Sequence, residues 1–179
     1  MLSWFRPRCP VDAREQSWID ENLAWLAGQF GLDVFLRRAV LVPKEGFFPR
    51  RFAGTEPAIH ELLAPLCRQM DLKPSTVELE FFSDDQRVGF VDEHGHPVGL
   101  TAGQFEPGVV RLDRNDCHDL SLVVGMVAHE LGRQRLIGES RVTGEEYDAE
   151  LLADLTVVFR GLGVFHANSP RSYAQRVSV

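Results

Sequence analysis

Between Val11 and Gly31, the stretch "VDAREQSWIDENLAWLAGQFG" places Ile19, Leu23, Leu26 and Phe30 at the spacing that gathers apolar side chains on one helix face. Asp12 and Glu15 stand where a capping box would start that helix, and Gly31 stands where it would stop. Trp18 and Trp25 flank the stripe and read as packing residues. A loop follows, "VPKEGFFPRRFAGTEP", whose Phe47, Phe48 and Phe52 are expected to pin it to the body, while its Arg50-Arg51 pair is too short a basic run for nucleic acid. Thr55 then caps an expected second helix reaching Met70, with Ile59, Leu62, Leu63, Leu66 and Met70 on its buried side. Pro65 should kink it, because proline removes a backbone donor. His60, on this helix, reads as a surface or satisfied core histidine.

The period changes at "STVELEFFSDD", where Val77, Leu79 and Phe81 alternate with Glu78 and Glu80 as in a strand with one buried face. "RVGFVD", "PVGLTAGQF" and "GVVRLDR" are three further strand candidates, separated by "EHGH" and "EPG" turns. Together they predict a small, mostly antiparallel sheet, with His94 and His96 exposed in its turn. The last third returns to helical spacing. Asp116 or Asp119 caps a helix that carries "LSLVVGMVA" into His129-Glu130 and ends near Gly138. Thr143 and Glu146 form a capping box for a final helix, "EEYDAELLADLTVVFRGLG", closed by Gly161 and Gly163, and the tail after Asn168 reads as loosely ordered. The fold class expected is α+β, with N-terminal helices, a small sheet and two packed C-terminal helices.

Composition narrows the functional classes. The 179 residues are 44% hydrophobic and 25% charged, which suits a single domain spanning 1–179. With 19 basic against 26 acidic residues and a net charge of -7, the chain offers no general attraction to nucleic acid or to an anionic membrane. Charge and proline interrupt the N-terminus before an apolar signal core could form, and no stretch approaches about 18 uninterrupted apolar residues, so a cytoplasmic location is expected. Cys9, Cys67 and Cys117 are widely spaced and odd in number, which implies neither a disulfide framework nor a zinc knuckle. Cys9 is the one expected to be accessible.

The candidate chemistry lies in "VAHELGRQRLIGES". His129 and Glu130 open the pattern H-E-x-x-H, in which two histidines one helical turn apart bind zinc and the glutamate acts as base, but the fifth position is Arg133. On the next helix Glu150 and Asp154 are also four apart, among Leu151, Leu152 and Leu155, so two carboxylates share one face of a segment headed for the core. Buried carboxylates need a counter-charge or a metal, and His129, Arg133 or an ion between them are the nearest candidates.

His129-Glu130 on one helix and Glu150-x-x-x-Asp154 on the next resemble the gluzincin branch of the zincin metallopeptidases. The longer pattern "AHELG…LIGESR…DAELLADLTVVFRGLGVFHANS", the "VPKEGFFPRRFAGTEP" loop and the "WIDENLAWL" helix also resemble a group of uncharacterised bacterial proteins with an intact zincin motif. That resemblance implies a minimal zincin-like domain in which His129 and Glu150 are metal ligands, Glu130 is the catalytic base and Asp154 orients His129. Zinc is the cofactor it implies, and Arg133 is the departure. Arginine is always charged and has no lone pair for a metal, so it deletes a ligand and sets a cation where a dication would sit. It can instead pair with Glu130, Glu150 or Asp154.

Two other histidines, His118 and His166, lie in the same third of the chain. His118 is about three turns from His129, roughly 16 Å along a helix, and cannot share its metal. His166 follows the glycines and could turn back toward the site, although nothing in its spacing requires this. Three readings remain open: a metallopeptidase-like protein with a degenerate zinc site that acts through binding a peptide or protein, an active zinc peptidase that completes its site with another ligand, and a structural or interaction domain.

Overall fold

Asp12 starts the first helix as its spacing predicts. Its carboxylate accepts from the Arg14 and Glu15 amides at 2.8 Å, and Glu15 accepts from the Asp12 amide at 2.9 Å. The computed structural model describes residues 11–43, 48, 51–83, 88–91, 97–101, 105–144 and 148–168. The expectations for Cys9, Phe47, Arg50, His94, His96, Glu146 and the tail after Asn168 lie outside those residues.

Helix α1 (Ala13–Phe30) ends at Gly31, whose φ of 94° favours glycine, and a short α2 (Leu32–Arg37) follows. Helix α3 (Glu56–Gln69) starts after Thr55, although the Thr55 side chain makes no capping bond, and it runs through Pro65. Ile59, Leu62, Leu63, Leu66 and Met70 are all buried, so the stripe read from the sequence is the face that packs.

All four strand candidates form strands: β1 (Glu78–Phe82), β2 (Val88–Val91), β3 (Pro97–Thr101) and β4 (Val109–Asp113). Their pairing corrects the expected sheet. β2 and β3 pair antiparallel by themselves, whereas β1 pairs with β4 in parallel, Glu78 opposite Val109 through Phe82 opposite Asp113. The physical reason is the excursion through β2 and β3, which lets the chain re-enter beside β1 in the same direction, as a parallel pair requires. Alternation fixes which face is buried and is silent on strand direction. Leu79, Val110 and Leu112 enter the core, and Arg111 bonds Glu80 at 2.8 Å on the other face.

Helix α4 (Leu120–Arg133) is capped by Asp119, which accepts from the Leu122 amide at 2.8 Å; Asp116 lies in the preceding 3-10 turn instead. The chain leaves α4 through a π-helical turn, Gln134–Gly138. Helix α5 (Ala149–Phe159) has Asp148 at its N-cap, so Thr143 is not its cap as the spacing had suggested. α6 (Gly163–Ala167) follows Gly161, whose φ is 80°.

Two apolar clusters share α5, through Val157 in one and Leu152, Leu155 and Phe159 in the other. One joins α3, β1, β4 and α4 with Phe165 of α6, and the other joins α1 and α5 with Leu136. Trp18 and Trp25 pack into the second, and Trp18 Nε1 donates to Asp148 Oδ2 at 2.8 Å, tying α1 to the start of α5. Where α1, α3 and α5 end together, Arg160 is buried, pairs with Asp71 and lies 4.4 Å from the Phe30 ring centre. Guanidinium groups beside helix C-termini complement the negative ends of their dipoles. Among the described residues no helix is long and apolar enough to cross a membrane.

The chain therefore mixes helix and sheet, an α+β arrangement in which the motif helix lies between the parallel strand pair and the last helices. Cys67 and Cys117 are buried thiols.

Candidate functional site

The site forms because α4 and α5 approach closely. A Cβ on Gly132 would sit 2.9 Å from the Ala153 carbonyl oxygen, so glycine at this position is what lets the two backbones approach. One turn of α4 then presents His129, Glu130 and Arg133, and one turn of α5 presents Glu150 and Asp154.

His129 joins the two helices. Its Nδ1 lies 2.6 Å from Asp154 Oδ1 and its Nε2 lies 3.0 Å from Glu150 Oε2. Carboxylates only accept, so an imidazole bonded to one at each nitrogen carries both protons. Burial opposes that charge, but the bonds to Asp154 and Glu150 and the nearby Glu130 more than offset it, and the His129 pKa rises from 6.5 to about 9. Burial likewise acts to raise the Asp154 pKa, yet the hydrogen bonds from His129 and His166 hold it well below the usual carboxylate range.

Arg133 takes the position four residues after His129 and turns toward the same carboxylates. Its terminal nitrogen is 3.2 and 3.3 Å from the two Glu130 oxygens, and its Nε is 3.3 Å from Glu150 Oε1. The second contact is an ion pair by distance alone: the buried Nε–H has no hydrogen-bond partner among the described residues. The guanidinium carbon lies 5.1 Å from the centre of the Phe105 ring, within cation–π range.

His166 also belongs to the cluster, although nothing in its spacing along the chain requires it. Its Nε2 is 3.0 Å from Asp154 Oδ1, and its ring lies nearly parallel to that of His129, with 6.1 Å between centres. The clue available was limited to Gly161 and Gly163, which permit the return of the chain. Phe105 and Gln134 were missed as well, since neither carries a motif. His118 is exposed and bonds the Asn115 carbonyl, and His60 is exposed beside Phe81; neither joins the site.

Zinc does not fit this donor set as it stands. The ring nitrogen of His129 that would face a metal donates to Glu150, the next expected ligand position holds a cation, and His166 Nε2 is bonded to Asp154. Among the described residues no group of three or more His, Cys, Asp and Glu side chains is arranged to hold a metal ion. The arrangement instead alternates charges: Glu130, Arg133, Glu150, His129, Asp154.

No family model matches the chain, and no solved structure matches it significantly. An N-acetyl-gamma-glutamyl-phosphate reductase of Moritella profunda is 29% identical over 113 residues, which is 63% of this chain and 30% of the reductase. The chain thus matches less than a third of that curated relative's length.

Proposed function

We propose that this chain is a metallopeptidase-like domain of zincin type whose metal site has become a metal-free ion-pair network, and that it acts by binding a peptide or protein rather than by cleaving one. The observation that carries the reading is the place of Arg133, within 3.3 Å of both Glu130 and Glu150. Those are the residues that the gluzincin resemblance makes base and ligand, and a fixed cation between them takes the electrostatic part of a dication without offering a coordination site. The contacts of His129 with Glu150 and Asp154 support the same ancestry, because they join the three residues for which the resemblance implies a common site.

An active peptidase that completes its metal site with His166 is the second reading, favoured by that residue's presence in the cluster. Its Nε2 is directed to Asp154, which makes it a partner of the orienting carboxylate. The partial likeness to a reductase covers too little of that enzyme to bring its activity to this chain.

The test is metal content together with peptide binding. Protein purified without chelator or nickel should carry no stoichiometric zinc, should not hydrolyse a peptide library with or without added zinc, and should retain peptides from that library. Chelator-sensitive hydrolysis restored by zinc would overturn the reading in favour of the active peptidase. Absence of peptide retention would leave a purely structural domain.

A further inference from the structure

We infer that Gln134 is the positioning residue that sets Phe105 over Arg133 and thereby closes one wall of the ion-pair site. The inference deepens the reading of the site given above by naming what holds Arg133 where it is, and its test does not involve metal.

Arg133 ends α4 and Gln134 begins the π-helical turn, both with helical backbone angles. Neighbouring residues on a helix point about 100° apart, so when Arg133 faces α5 its neighbour faces another element. That element is the segment leading into β4. Gln134 is 5% exposed, and its amide group makes three bonds to this segment's backbone: Oε1 accepts from the Gly108 amide at 2.8 Å, and Nε2 donates to the Glu106 carbonyl at 3.0 Å and the Val109 carbonyl at 3.1 Å. An amide side chain has both a donor and an acceptor end, which is the set needed to hold a backbone that turns back on itself. Phe105 is the residue before Glu106, whose carbonyl Gln134 holds, and its ring lies over the Arg133 guanidinium. Gly138, at the end of the same turn, completes the fit: a Cβ there would meet Gln134 Oε1 at 3.0 Å and Phe105 at 3.5 Å.

The consequence reaches the ion pair. Arg133 Nε is buried and lies 3.3 Å from Glu150 Oε1, with the Phe105 ring beside the guanidinium. Release of the segment would expose the guanidinium to water, where its attraction to Glu150 is weaker.

The experiment follows the Arg133 Nε–Hε signal by NMR, identified by its loss in Arg133→Lys. The Phe105 ring, 5.1 Å from the guanidinium carbon, should displace this signal, and Phe105→Leu, which leaves the three Gln134 bonds intact, should abolish the displacement. Gln134→Met keeps the side chain's length and removes all three bonds. Gln134→Glu keeps the acceptor for Gly108 and sets an oxygen against two carbonyls. In both variants the signal should move most of the way to its position in Phe105→Leu and exchange faster with water, while the amide signals of α5 stay in place. A merely structural role would lower stability without that specific movement. A folded Gln134→Met or Gln134→Glu protein whose Arg133 signal keeps its original position would overturn the inference, and so would a Phe105→Leu protein that leaves the signal unchanged.

Discussion

Nδ1 of His129 and Oδ1 of Asp154 lie 2.6 Å apart across the α4–α5 contact, and the imidazole reaches a second carboxylate through its other nitrogen. The pair predicts a particular pH dependence. The His129 pKa is raised from 6.5 to about 9, so its contribution to stability is complete below 6.5 and is lost as pH rises through about 9. The Asp154 pKa is lowered from 3.8, so its contribution is complete above 3.8 and is lost as pH falls below that value. The two shifts share the His129–Asp154 bond, which counts once, and the histidine shift, to which Glu150 and Glu130 also contribute, sets an upper bound on the order of 3 kcal/mol. Denaturant midpoints should therefore hold between about pH 4 and 6.5 and fall toward pH 10, and Asp154→Asn should flatten much of the alkaline fall. Equal alkaline slopes in the two proteins would remove this pair from the account.

Much of this site was legible in the sequence because helical spacing fixes direction. His129, Glu130 and Arg133 had to share a turn, as did Glu150 and Asp154, and the need of buried carboxylates for a partner pointed from one set to the other. His166 was not legible, since it follows a turn that Gly161, at a φ of 80°, permits but does not direct. The strands were located by their alternation, but the parallel pairing of β1 with β4 depends on how the chain returns from the β2–β3 excursion. The capping-box spacing of Thr143 and Glu146 points to an earlier start for α5 than the helix has, which begins after Asp148. Burial of Arg160 follows from three helix ends converging, which no local pattern announces.

Removing the guanidinium should cost stability. Arg133→Met leaves Glu130 and Glu150 without their nearest common cation, and the expected loss is about 1–2 kcal/mol, reduced by the exposure of Glu150. Arg133→Lys should recover part of it, since the charge returns without the planar fork. Urea midpoints measure both, and a methionine variant as stable as the parent would count against a stabilising network.

Gly132→Ala tests the helix approach that builds the site. Alanine favours a helix over glycine by about 1 kcal/mol, but the added methyl would meet the Ala153 carbonyl at 2.9 Å. Separating α4 from α5 should dominate, giving a net loss of roughly 1–3 kcal/mol and a weaker His129–Glu150 contact. A stabilised variant would mean that the backbones part without cost.

The most direct measurement is zinc binding by Arg133→His, because it separates the ancestry of the site from its present activity. If the scaffold is that of a gluzincin altered chiefly at position 133, the new imidazole should join His129 and Glu150 around one tetrahedral ion, displacing the proton that His129 now shares with Glu150. Histidine costs only about a few tenths of a kcal/mol in helix propensity relative to arginine, so the fold should survive. Melting curves with and without zinc, beside bound metal per chain, give the answer: the variant should bind one zinc and melt at a higher temperature with it, while the parent should bind none and stay unchanged. A variant that folds normally and binds no zinc would contradict the account.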